Sequence, residues 1–250
     1  MHDAPTELFQ FPYSHYNEKA RWALDYKKVP HQRTNVLPGP HTIRIKRMTG
    51  QNQVPVVRFG DDVVHGSAGI IDELEKRYPD PPLYPQDPEL RRKALEIQKH
   101  FDEEVGPQAR RAIFSVLLQT PGYIVRMFGE GHGRAKVLAY RASFPLVAFV
   151  MKREMGVEPG VAIEKAFETI DTALNFVADN AGPNGYLVGD SFSVADLTAA
   201  SLLALTTSPP NSTMHRPEPQ PPLILEWNQR WAGHPGVAWV LDCYARNRNS

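Results

Sequence analysis

The sequence predicts an α/β unit over residues 1–80, a linker at 81–88 and an all-helical unit over 89–250. Three observations carry this. Two short apolar runs near the amino end each give way to a helical pattern that starts at a serine. A cluster of prolines then closes this part of the chain, and every element that can be drawn beyond the cluster is a helix.

Leu8, Phe9 and Phe11 suit a buried strand that breaks at Pro12. From Ser14 onward Tyr16, Ala20, Ala23 and Leu24 recur at i, i+4, i+7 and i+8, the period of an amphipathic helix. Ser14 is then the N-cap, facing the unpaired first-turn amides, a place that favours negative charge. The bland reading is that Ser14 only caps its helix. A second strand and helix follow. Val54, Val56 and Val57 read as a strand, but Pro55 cannot donate to a ladder. It therefore marks a strand start or edge, where a cis bond is open. Val63-Val64-His65 turns through Gly66 into a helix capped by Ser67, with Ala68, Ile70, Ile71, Leu74 and Tyr78 along it.

The run Pro79-Asp80-Pro81-Pro82-Leu83-Tyr84-Pro85 forbids helix and favours an extended tether. Beyond it, helices are expected over Pro88–Leu118 with a kink at Pro107, Arg134–Met155, Glu158–Asn180, Ser193–Leu205, Leu223–Trp231 and near the carboxy end. Gly129–Gly133 and Ser208–Pro222 read as loops. Ser193 with Asp196 three residues on is a capping-box variant, and Phe192 is placed to staple it.

Lys plus Arg and Asp plus Glu are equal at 28 each, so no global field draws the chain to nucleic acid or an anionic membrane. The short basic runs at 44–47 and 91–93 read as solvated helix faces. Cys243 is the only cysteine, which excludes an internal disulfide and a cysteine-rich metal site. No run is apolar enough to span a membrane, and the start, with Asp3, Pro5 and Glu7, lacks a signal-peptide core. A cytoplasmic protein is expected.

Strand, helix, strand, helix, two close strands and a helix, with serines at 14 and 67 and a proline at 55, resemble the thioredoxin-like amino-terminal domain of the glutathione transferase superfamily. Glu75-Lys76-Arg77-Tyr78-Pro79 resembles the close of that domain, and Gly189-Asp190-Ser191-Phe192-Ser193-Val194-Ala195-Asp196 the capping motif of the family's helical domain. The resemblance implies glutathione as cosubstrate, no metal, a small apolar electrophile, a homodimer and a role in detoxification. It places Ser14 at the catalytic position, donating to the glutathione sulfur. Redox versions of the site carry cysteine there, sometimes with a second where this chain has Asn17. Val54 matches the residue whose backbone pairs with the cysteinyl part, and Ser67 the holder of the γ-glutamyl carboxylate. Family members carry Glu or Asp just before that serine, where this chain has Gly66. For the glycine carboxylate His41, Arg44, Lys46, Gln51 and Gln53 are candidates, with His41 and Gln53 favoured.

Two alternatives stand beside this. Tyr13 or Tyr16 reaches the sulfur in place of Ser14, or the chain keeps the fold as a non-catalytic protein that binds apolar ligands or a protein partner. The aromatics Phe114, Tyr123, Phe128, Tyr140, Phe144 and Phe149 offer material for an apolar pocket, and His132 and His215 are loop histidines open to acid–base work.

Overall fold

A computed structural model describes residues 5–157 and 160–248. The expectations at Asp3 and for a helix start at Glu158 lie outside those residues. The amino-terminal part runs β1 (Thr6–Gln10), α1 (His15–Tyr26), β2 (His31–Asn35), α2 (His41–Thr49), β3 (Val56–Phe59), β4 (Asp62–His65) and α3 (Ser67–Arg77). Its four strands lie in the order β2-β1-β3-β4. β2 is parallel to β1, while β3 is antiparallel to both β1 and β4.

The register decides where the chemistry lies. Phe9 pairs with Val56 and Val56 with His65, so one row crosses the sheet through the end of β1, the start of β3 and the end of β4. Gln10 pairs with Asn35, which adds the end of β2 to that rim. The segments carrying Ser14, Val54, Ser67 and His41 all leave the sheet there.

The chain from Tyr78 to Asp87 has no regular structure, but it is no loose tether. Leu83 and Tyr84 are buried, and their amides donate to the carboxylate of Glu75 at 2.9 and 3.2 Å. The carbonyl of Leu83 accepts from Val194 at 2.8 Å, fastening the segment to the second half.

That half is helical: α4 (Pro88–His100), α5 (Gly106–Leu117), α6 (Pro121–Gly129), α7 (Arg134–Met155), α8 (Val161–Asn180), α9 (Val194–Thr207), α10 (Pro222–Gln229) and α11 (Pro235–Asn247). The kink expected at Pro107 is a π-helical turn over Phe101–Val105, which joins α4 to α5 where proline removes an amide. α6 was not foreseen; it starts at Pro121, in the aromatic stretch read only as pocket material. The capping box forms, with Ser193 accepting from Ala195 and Asp196 accepting from the Ser193 amide. Phe192, at the entry to α9, is buried. It stacks on Trp22 with ring centroids 5.5 Å apart, carrying α9's start onto α1.

α1 packs against α3 and α9, and the fully buried Ala20, Ala23, Leu24, Leu197 and Ala200 belong to one core that runs through both halves. Gly106 lets α5 close on α1: a Cβ there would collide with the Tyr16 hydroxyl.

Candidate active site

Ser14 occupies the N-cap of α1 with extended backbone angles (φ −96°, ψ 126°), yet its side chain makes no capping hydrogen bond. The bland reading therefore fails. Its amide donates to the Phe11 carbonyl at 3.2 Å and its carbonyl accepts from Glu18 at 2.8 Å, so the backbone is fixed while the half-buried hydroxyl stays uncommitted.

Both neighbouring tyrosines are spent. Tyr13 donates to the carboxylate of Glu130, in the loop between α6 and α7, and its ring meets Phe128 edge-on at 6.0 Å. Burial and then the Glu130 carboxylate push its pKa up. Tyr16 donates to the Asp102 carbonyl at 2.6 Å, and burial raises its pKa as well. Neither phenol is poised to hold a thiolate.

Val54 stands before a cis peptide bond to Pro55, and among the described residues its backbone N–H and C=O make no hydrogen bond. Ser67 is the first residue of α3, 6% exposed, with the unpaired amides of the first turn behind it. Gly66 before it sits at φ +78° and ψ 136°, outside the left-handed helical well, a conformation that a residue with a Cβ adopts at a cost of roughly 1–3 kcal/mol. A glycine there suits the backbone and leaves the site without the expected acid.

Gln53 is exposed; its backbone is tied to the Gln51 side chain and its own amide is unengaged. His41 opens α2, bonds the Asn52 carbonyl through Nε2 at 2.9 Å, and meets Phe11 edge-on at 4.8 Å. Burial lowers its pKa, so the ring is neutral and its N–H is used on Asn52. Arg44 is directed elsewhere, over the ring of Phe9 at 4.4 Å.

The loop that carries Ser14 is held from below. Buried Arg21 donates to the Pro12 carbonyl at 3.0 Å and to Gln10 at 2.7 Å, and pairs with Glu18 at 2.9 Å. Burial favours the neutral acid at Glu18, but Arg21, Arg248 and the Thr213 hydroxyl outweigh it and hold the carboxyl at about 2. His15, beside Ser14, is fully enclosed and bonds the Gly106 carbonyl at 2.9 Å; burial drops its pKa to about 3. Sequence reasoning missed this support, although Glu18 and Arg21 show the spacing of a helical ion pair.

A cavity of about 360 Å³ opens beside Tyr13, between α5, α6, α9 and the 208–222 loop. Of the aromatics expected to line a pocket, Phe114 and Phe128 do so; Tyr140 and Phe144 are core, and Phe149 is 63% exposed on α7. His215 lines the cavity, whereas His132 faces Lys136 at 3.2 Å. The Cys243 thiol is buried in α11 and burial pushes its pKa up, so no cysteine thiolate serves here. Among the described residues no cluster of His, Cys, Asp or Glu is placed to hold a metal, and no helix is long and apolar enough to cross a membrane.

Two family models match the chain: "Glutathione S-transferase, N-terminal domain" over residues 8–82 and "Glutathione S-transferase, C-terminal domain" over 138–235. A maleylpyruvate isomerase from Ralstonia is 29% identical over 119 residues, 46% of this chain and 56% of that protein. Glutathione S-transferase Z1 of Arabidopsis thaliana is 36% identical over 76 residues, 30% of this chain and 32% of its own. The chain thus spans about half or less of the curated relatives it matches. The glutathione S-transferase of Ceriporiopsis subvermispora, solved in complex with glutathione, superposes with a TM-score of 0.66 at 16% identity, over 99% of both chains.

Proposed function

We propose that this chain, which belongs to the glutathione transferase superfamily, is a glutathione transferase in which the Ser14 hydroxyl keeps the glutathione sulfur anionic. The observation that carries the reading is the idle Ser14 hydroxyl. It stands at the sheet end where the Val54 peptide and the α3 amides are also unpaired, while Tyr13 and Tyr16 are both committed.

In this reading residues 1–80 hold glutathione and 89–250 hold the electrophile. The Val54 peptide pairs with the cysteinyl unit as an added strand. Ser67 and the first turn of α3 take the γ-glutamyl carboxylate. The free amide of Gln53 serves the glycine carboxylate; His41 adds to it only as the imidazolium, because its neutral ring spends its N–H on Asn52. Bound glutathione supplies a thiolate that forms a carbon–sulfur bond as the leaving group departs with its electron pair. Ser14 donates its O–H to that sulfur, and the start of α1 adds about 0.3–1 kcal/mol toward the anion. Neutral His15 leaves that corner without a competing charge. Conjugation, ether cleavage and dehalogenation share this first step. A cytoplasmic homodimer completes the reading, two-fold dimers being the commonest closed assembly.

The test is glutathione binding together with conjugation to chlorodinitrobenzene, in the wild type and in Ser14→Ala. The rate falls about 10²–10³-fold in the variant, the size of a lost oxyanion-type donor. Glutathione affinity falls less than about tenfold, as for one hydrogen bond. Millimolar binding in the wild type, or apolar ligands bound with no thiol chemistry, returns the chain to the non-catalytic alternative.

A further inference from the structure

We infer that the cavity beside Tyr13 takes an organic acid, an apolar body whose carboxylate is held by the guanidinium of Arg216. This rests on the reading above only for the fate of that ligand at the thiolate; the anion site stands on its own geometry.

One part of the lining is apolar, with Ile113, Phe114, Leu117, Met127 and Phe128, and would receive a ring. Arg216 lies on the loop side. Its Nη2 donates to the Leu205 carbonyl at 2.7 Å and its Nη1 to Asn228 Oδ1 at 2.8 Å, with Ser208 more distant at 3.4 Å. Every one of those acceptors is neutral. No carboxylate among the described residues pairs with Arg216, and its Nε–H makes no hydrogen bond. The end of α9 offers the charge only about half an elementary unit. A part-buried cation with only neutral partners is costly, and an anion entering the cavity would remove that cost. Burial pulls the guanidinium down to about 10, which leaves it charged at neutral pH.

Glu218, the acid of the lining, is engaged with the backbone and side chain of Gln220 at 3.0 and 2.8 Å. The loop is rigidly fastened although it has no regular structure. Thr213 bonds Glu18 of α1 at 2.6 Å, and the Pro217 carbonyl accepts from Tyr123 of α6 at 3.0 Å. Arg126 reaches the carbonyls of Pro217 and Pro219. The Arg216 guanidinium is therefore preorganised, and the tie to Glu18 joins its loop to the helix that Ser14 caps.

The test compares dinitrobenzoate with its uncharged isostere dinitrobenzamide by calorimetric titration, without glutathione. Wild type binds the acid about tenfold or more tighter than the amide, as expected for a charge-assisted bond in a partly water-excluded cavity. Arg216→Gln abolishes the preference, Arg216→Lys keeps part of it, and Ser14→Ala leaves it unchanged. Because Arg216 also ties α9 to its loop, a second arm uses the wild type alone: dinitrobenzoate shields Arg216 from phenylglyoxal, read by mass spectrometry, and dinitrobenzamide does not. No preference in the wild type, a preference that survives in Arg216→Gln, or equal shielding by acid and amide overturns the proposal. Absence of thiol chemistry in the wild type with the preference intact overturns only the role of Ser14.

Discussion

The sheet end and the helical cavity are built from different material. The sheet side is backbone: an unpaired peptide at Val54, first-turn amides at Ser67 and a serine fixed at the head of α1. The helical cavity is side chain, supplied by three helices and a proline-rich loop, with apolar groups on the helices and Arg216, His215, Glu218 and Gln220 on the loop. Backbone donors set by strand register change little when a side chain is replaced, which suits an invariant peptide cosubstrate. Side chains are replaceable one at a time, which suits a varied electrophile. What links the two is α1, whose buried Glu18 and Arg21 reach down to the Ser14 loop and across to Thr213.

The strongest way to break this contrast is at that link. Arg21→Met leaves Glu18 facing Arg248 alone and releases the Pro12 carbonyl; removing one partner of a buried ion pair costs about 3–5 kcal/mol. Urea unfolding measures the loss, and activity in the folded fraction falls because the Ser14 loop is unheld. An unchanged midpoint contradicts the role given to the link.

Acid probes the same helix. His15 has a folded pKa of about 3 against the ordinary 6.5, so its contribution is present above 6.5 and is lost as pH falls. By linkage it costs roughly 2 kcal/mol of stability by pH 5. Asp196, raised by burial to about 6, acts in the opposite sense, because its neutral form is favoured as pH falls toward 3.8. His15→Gln can still donate to Gly106 but does not titrate. The stability difference between variant and wild type should therefore shift by about 2 kcal/mol in the variant's favour from pH 7.5 to pH 5. A flat difference counts against a neutral buried His15.

Gly66→Glu sharpens the sheet side. Its Cβ points into open space, so the expected cost is the strain of a backbone conformation almost confined to glycine, about 1–3 kcal/mol. Glutathione affinity rises two- to fivefold, about 0.5–1 kcal/mol for a partly exposed pair with the γ-glutamyl ammonium. The smallest effect is expected for Tyr13→Phe. It removes the bond to Glu130 and little else, so the conjugation rate stays within about threefold of wild type, the scale of one weak hydrogen bond.

The sheet side was legible in the sequence for the same reason that it is robust. Proline, glycine and serine punctuate strand ends through local backbone chemistry, and that is where Pro55, Gly66, Ser14 and Ser67 lie. The helices past Pro88 showed in their spacing, except α6, whose stretch offered aromatics but no periodic run long enough to mark a helix. The cavity was legible only in part: Phe114 and Phe128, read as pocket material, line it, but its other walls were not. Whether Phe128 lines it and Phe149 faces solvent depends on how α6 and α7 pack, and nothing local to Arg216 reveals that its partners are neutral.

The most direct measurement is the titration of glutathione's thiol in its complex with the protein, followed by thiolate absorbance in the ultraviolet. Donation by Ser14 predicts a thiol pKa well below that of free glutathione in the wild type and in Tyr13→Phe, returning most of the way toward the free value in Ser14→Ala. A depressed pKa that survives in Ser14→Ala would contradict it.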